Sequence, residues 1–372
     1  MCQQNPISQC LTFNQYTNNQ DQYFRSDTVF TFLPGNHHLN SSLRLSDVRN
    51  ISFHGEFLSE SATVFLDPNV SLSWTNCDQI EIRSLSFISV GNYEYRLIFV
   101  NVRDVSFSNT SIIGNRPGDG CSAIASQSSV ISINDSAFAG IHGQLGAILA
   151  LNSSQVTFNG INTLSNNTAR LGGAVFSINS DMQMFGTINL MNNIATLDLE
   201  SDITFNFHYS YQDMEMGGAI FADNSNVTIN GCTTFVNNSA KNLGGALATV
   251  NYSTLIIDDS FCDHPATTDI KEHNAVFNRN KVTTGTSSGP VFNDLNVHDS
   301  SFGSGGAIYT ENSKVNIVTE TNVYGLKGAN SNVIGVNEQF MLYIVTVILS
   351  MFLCHVSLSC LPHLCQSNLC LP

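Results

Sequence analysis

A quartet of small and aliphatic residues recurs along this chain: Gly172-Gly173-Ala174-Val175, Gly217-Gly218-Ala219-Ile220, Gly244-Gly245-Ala246-Leu247 and Gly305-Gly306-Ala307-Ile308. Leu145-Gly146-Ala147-Ile148 is a degenerate copy. The second glycine of each (Gly146, Gly173, Gly218, Gly245, Gly306) sets a register, and an asparagine stands six residues later every time: Asn152, Asn179, Asn224, Asn251 and Asn312. An alternating apolar trio follows, as in Val156-Thr157-Phe158 or Val227-Thr228-Ile229. Three copies add Asn-Asn-x-Ala, at Asn166–Ala169, Asn192–Ala195 and Asn237–Ala240. Composition alone does not repeat one offset five times.

Gly146 to Gly173 and Gly218 to Gly245 each span 27 residues, whereas Gly173 to Gly218 spans 45 and Gly245 to Gly306 spans 61. The longer gaps imply an inserted loop or a degenerate turn. Upstream the glycines fade, but the trio persists at Ile51-Ser52-Phe53, Ile80-Glu81-Ile82, Val105-Ser106-Phe107 and Ile131-Ser132-Ile133. A period in the twenties with short alternating runs describes one supersecondary unit stacking on its neighbours. Three short strands per unit, with no room for a helix, make a coil of an all-β, right-handed parallel β-helix over residues 28–325. Its nine anchored trios predict a rod of about 45–55 Å at the inter-strand spacing. Ala219, Phe221, Val227 and Ile229 join the expected core. Leucine-rich repeats are excluded because their L-x-x-L-x-L signature is missing.

The register residues have physical work. Asparagine tolerates left-handed φ at a tight corner, and stacked amides can bond from coil to coil. Asn152, Asn179, Asn224, Asn251 and Asn312 are therefore expected to form a buried structural ladder. Glycine pairs suit a turn where a Cβ would clash.

These residues carry a family resemblance. Gly-Gly-Ala-Ile with the downstream Phe235-to-Ala240 pattern (Phe-x-x-Asn-Asn-x-Ala) resembles the repeats of chlamydial polymorphic outer membrane proteins and of large extracellular β-helix proteins of simple animals. These belong with the pectin-lyase-like right-handed β-helices. Thr28 to Gly35, Leu43-Arg44-Leu45 and Val48 to Phe53 look like a first coil of such a domain, with residues 1–27 as a cap. The resemblance implies an adhesive or structural surface protein rather than a particular activity.

Net charge narrows the partners. With 14 Lys plus Arg against 29 Asp plus Glu the formal charge is −15, which repels phosphates and disfavours a nucleic-acid partner. Pectin-lyase-like enzymes form the alternative class. Their chemistry needs acidic clusters, converging aspartates and basic residues to grip an acidic sugar. The glycine-marked coils offer only Arg170, Lys241 and Lys314 as cations, and His142-Gly143 reads as an ordinary turn. The densest polar insert holds Asp258, Asp259, Asp263, His264, Asp269, Glu272 and His273. Asp258, Asp259, Asp263 and His264 are weak metal candidates, since their spacing matches no known loop and a solvated acidic segment explains them. No catalytic residue and no cofactor is assigned. The expected partner is an extracellular glycan or protein.

Compartment signals lie in the cysteines, the sequons and the tail. No Cys/His set has zinc spacing. Cys2 with Cys10 and Cys232 with Cys262 could bridge, or remain buried thiols. Ten Asn-x-Ser/Thr sequons occur at Asn40, Asn50, Asn69, Asn109, Asn134, Asn152, Asn166, Asn226, Asn237 and Asn251. Asn109, Asn134, Asn166, Asn226 and Asn237 are the glycosylation candidates, while ladder burial would shield Asn152 and Asn251. Residues 326–339 read as a polar linker and 359–372 as a Cys-rich tail. The apolar segment 340–358 is long enough for one membrane-spanning helix, with a lipid-anchor signal and a misassigned terminal exon as its other readings. The polar start carries no secretory signal within this sequence. The expectation is a membrane-tethered, cell-surface rod.

Overall fold

The computed structural model describes residues 23–56, 62–68, 70–89, 95–114, 122–143, 145–196, 214–258, 276–283 and 307–317, with residue 15 and short strands at 2–4, 9–10, 322–324, 334–336 and 343–344. The chain is an all-β parallel β-helix. Each coil contributes a strand to a first sheet, then to a second, then to a third, before the next coil begins. The first sheet runs in parallel from Thr28–Phe32 through Ile51–Gly55 and onward to Lys314–Ile317. Ten parallel strands at about 4.8 Å give a rod of about 43 Å.

Alternation decides which side chains fill the coil. In Gln155–Asn159 the inward residues Val156 and Phe158 are buried, and Gln155, Thr157 and Asn159 point outward. Stacking places like on like, so Val156 lies over Met182 and Val227 over Leu255. Aromatic rings follow the same rule: Trp74 stacks on Phe99 at 4.9 Å and Phe235 on Phe277 at 4.5 Å. Each such buried side chain contributes roughly 1.5–3 kcal/mol.

The irregular gaps are insertions. Val175 pairs with Ile220 and Leu247 with Ile308, so the coils flanking both gaps stack directly. The extra residues fall between strands: 197–213 in the first gap, 259–275 and 284–306 in the second.

Two features go beyond the three expected sheets. A fourth, narrow sheet joins Thr168–Ala169, Ile194–Ala195, Ser239–Ala240 and Lys281–Val282, where Asn-Asn-x-Ala turns out of the second sheet. From Ser122–Gln127 onward the third sheet is also buried on both faces. Leu145, Leu171, Met216 and Leu243, each just ahead of the repeat glycines, bridge one another along the stack. Leu171, Met216 and Leu243 belong to a second apolar cluster with Phe176, Phe221 and Val250 on that outer face. Ala219, Val227 and Ile229 lie in the main core as expected, while Phe221 belongs to this second cluster.

The glycine pair makes the return possible. Gly172, Gly217 and Gly244 take φ of 59°, 65° and 63°. The following glycine is packed against neighbouring backbone: a Cβ on Gly173 would stand 2.7 Å from the Ile194 nitrogen, and one on Gly218 2.6 Å from the Ser239 nitrogen. A Cβ on Gly146 would lie 2.6 Å from the Phe176 nitrogen. Gly245 is described as part of the same turn, and Gly306 lies outside the described residues.

At the amino end, Cys2–Gln4 pairs antiparallel with Thr28–Phe32 and covers the edge of the first sheet, with Gln9–Cys10 outside it. The register sets Cys2 opposite Cys10. At the other end the third sheet continues to Ile334–Val336, within the segment read as a linker. Of the apolar segment 340–358 only Tyr343–Ile344 is described, as a strand against Asn316–Ile317, and the Cys-rich tail lies outside the described residues. Among the described residues no helix is long and apolar enough to cross a membrane.

Candidate functional site

The corner between the third and first sheets repeats one conformation along the rod. Asn76, Asn101, Ser128, Asn152, Asn179, Asn224, Asn251 and Asn312 all hold left-handed φ, between 45° and 53°. For the five register asparagines the left-handed corner is as expected. The buried ladder is not. Asn152, Asn179, Asn224 and Asn312 are exposed and Asn251 is half-buried, because the corner of two or three residues turns its left-handed residue outward. Asn224 donates to Asn179 Oδ1 at 2.7 Å and Asn101 to Asn76 Oδ1 at 3.2 Å, while the Asn251 amide donates to Asp223 at 2.9 Å.

Serine takes the inner place at this corner. The Ser154 N–H donates to Ser180 Oγ, Ser180 N–H to Ser225 Oγ, and Ser225 N–H to Ser253 Oγ, at 3.1–3.2 Å. The buried asparagine ladder lies at another corner, where the second sheet meets the fourth. There Asn167, Asn193, Asn238 and Asn280 are fully buried and joined amide to amide at 3.0 Å. The signal for it was the second asparagine of Asn-Asn-x-Ala; the first, at Asn166, Asn192 and Asn237, supplies the left-handed φ.

The outward corner column forms an edge with two further features. Near its amino end an open groove of about 420 Å³ is lined by Asn76, Cys77, Asp78, Asn101, Val102, Arg103, Ser128 and Val130. Cys77 is a free, buried thiol at its floor, and burial pushes its pKa up, so it is a poor nucleophile. Four coils further on, about 19 Å along the same edge, stands Tyr252. The residue is 84% exposed and its backbone holds φ of 61°, an unusual conformation for a bulky residue. Asn251 beside it is left-handed as well.

Beneath this edge lies a buried carboxylate. Asp223 sits on the outer face of the third sheet, stacked between Ile178 and Val250. Burial raises its pKa, and the hydrogen bond from Asn251 opposes the rise. On the same side Glu215, also buried, receives Lys241 Nζ at 3.1 Å and hydrogen-bonds through its own N–H to Asn242 Oδ1.

The remaining sequence candidates are dispersed. Asp258 is half-buried at the end of a first-sheet strand, its N–H bonded to the Ile229 carbonyl at 2.7 Å. Asp259, Asp263, His264, Asp269, Glu272 and His273 lie outside the described residues, and among the described residues no three His, Cys, Asp or Glu side chains gather as a metal site. His142 forms an isolated bridge with Thr168. Among the glycosylation candidates, Asn109, Asn166, Asn226 and Asn237 are exposed and Asn134 half-buried. Cys232 is disulfide-bonded, and Cys262 lies outside the described residues.

No protein-family model, no curated protein and no solved structure matches this chain. The architecture is a parallel β-solenoid, and the chemistry of its surface carries the functional reading.

Proposed function

We propose that this chain is a non-catalytic adhesive β-helix of the cell surface, holding an extended, neutral glycan along the edge between its third and first sheets. The observation that carries the reading is Tyr252, a largely exposed aromatic ring fixed in a left-handed backbone on a column of outward asparagine amides. Strain of this kind concentrates at functional positions. An exposed ring offers an apolar platform to the C–H face of a sugar, and the amides both donate to and accept from its hydroxyls. The open groove at Asn76–Val130 continues the same line. A chain with charge −15 favours a neutral polymer over an acidic one.

Two features support an extracellular setting: the disulfide at Cys232, since such bonds persist in oxidising compartments, and the exposed sequons. The likeness of the Gly-Gly-Ala-Ile and Phe-x-x-Asn-Asn-x-Ala repeats to surface β-helices points the same way.

The test is retention of the full chain on immobilised neutral and acidic polysaccharides, with a reducing-end assay run in parallel. Binding of a neutral glycan without turnover, weakened about tenfold or more by Tyr252→Ala, is expected. Turnover of an acidic polysaccharide would establish the pectin-lyase-like enzyme instead, and retention by no glycan would remove the adhesive reading.

A further inference from the structure

The faces of the rod differ in charge. Glu81, Arg83, Asp104 and Asp181 stand on the outside of the first sheet. The second-sheet strands from Ala62–Leu66 to Thr233–Val236 contain no ionisable residue. Instead Phe65, Ile88, Ile113, Met191 and Val236 share one outward column, interrupted between Ile113 and Met191 by Ala139 and Ser165. Exposed apolar side chains gather here too. Ile113 is 39% exposed, Ile161 at the head of its strand 65%, and Leu33 and Phe185, on the corner leading into the sheet, 42% and 44%.

We propose that this face is the contact between two copies of this chain, packed sheet against sheet. Charge argues for a second copy. Two chains of −15 repel one another, so they can meet at close range only where carboxylates are missing, and the second sheet is such a face. Size agrees. The seven uncharged strands at about 4.8 Å, each about 15 Å long, present roughly 430 Å², about half the ~800 Å² per partner of a standard interface, as suits a weak, reversible dimer. Shape agrees as well. The neighbouring outward column holds Thr63, Ser86, Ser111 and Thr163, whose short side chains let two sheets approach to about 10 Å. The sequons Asn109, Asn166 and Asn237 border these strands at the corners, so the contact is measured on enzymatically deglycosylated chain. The face is separated from the Tyr252 edge by the width of the first sheet and does not depend on the glycan reading.

The experiment is the mass of the full chain in mild detergent, by sedimentation and light scattering, from micromolar to sub-millimolar concentration. The expected mass is that of two chains, falling to one on dilution. Ile113→Asp and Ile161→Asp each bury an unpaired charge at the contact and raise the dissociation constant about 100-fold. Arg83→Ala, on the outside of the first sheet, leaves it unchanged. Both apolar positions are open to solvent in the single chain, so the variants keep their folded circular-dichroism spectrum. A single-chain mass at the highest concentration overturns the proposal, and so does a dimer indifferent to both substitutions.

Discussion

Asn193 gives both its side-chain amide and its backbone N–H to the single Oδ1 of Asn238, each at 3.0 Å. The same Asn193 amide also reaches back to the Leu164 carbonyl at 2.9 Å. One side chain thus ties three coils together with no water to compete. Asn238→Ala removes the shared acceptor and leaves two buried donors on Asn193 unpaired. A loss of about 2–4 kcal/mol is expected in urea unfolding, against less than about 0.5 kcal/mol for the exposed neighbour Asn237→Gly, which already holds φ of 54°.

Gly173 and Gly218 are needed for room alone, whereas Gly172 and Gly217 need both room and their left-handed φ. Gly218→Ala would drive a methyl group into the Ser239 backbone, which cannot yield without parting two coils. It is expected to cost about 2–4 kcal/mol or to abolish folding. Gly35→Ala, where nothing lies within 4 Å, costs only the backbone strain of φ 113°, and thermal melts of the two variants should separate them clearly.

Asp223 makes stability depend on pH. Its folded pKa is raised by burial, so its contribution is fully present below the unfolded carboxylate value near 3.8 and is lost as pH rises through the folded value. Asp223→Asn keeps an acceptor for Asn251 and removes the buried charge. This variant should melt above the wild type at pH 7, and the difference should shrink in acid. Equal melting temperatures at pH 7 would contradict the assignment.

Glycan occupancy should follow the corners. Asn109, Asn152, Asn166 and Asn237 turn outward with left-handed φ and no competing role for the side chain in the core. Asn251 spends its amide on Asp223. Peptide mapping of the native protein after enzymatic deglycosylation in oxygen-18 water should label the first four and spare Asn251. The exposure of Asn152 reverses what a buried ladder at that position implied.

Cys77 should resist modification. Its thiol is buried with a raised pKa and hydrogen-bonds to the Thr75 carbonyl at 3.4 Å. A maleimide at pH 7 should leave it unlabelled in the folded chain and label it once denaturant is added.

The solenoid was legible because each coil repeats its own local chemistry. Val227-Thr228-Ile229 alternates as a strand with one face inward, and the recurrence of that trio leaves stacking as the way to bury those faces. The left-handed corner at Asn179 and Asn224 was legible for the same local reason, since it depends on the residue's own φ preference. The place of the buried ladder was not. Asn152 and Asn167 are both asparagines in tight corners; one faces solvent and the other the interior. That choice is made by which way the corner bends relative to the stack.

The amino-acid sequence by itself therefore determines the period, the strands, the corners and the parallel stacking, because these follow from alternation and backbone preference within about 27 residues. Tertiary structure alone decides what each coil meets outside itself. It folds Leu171, Met216 and Leu243 over the third sheet, burying Asp223 and Phe221 on a face that alternation would leave in water. It also aligns Tyr252 with asparagines scores of residues away. Such contacts join positions whose separation is set by insertions of irregular length, and local sequence carries no record of a distance closed only by stacking.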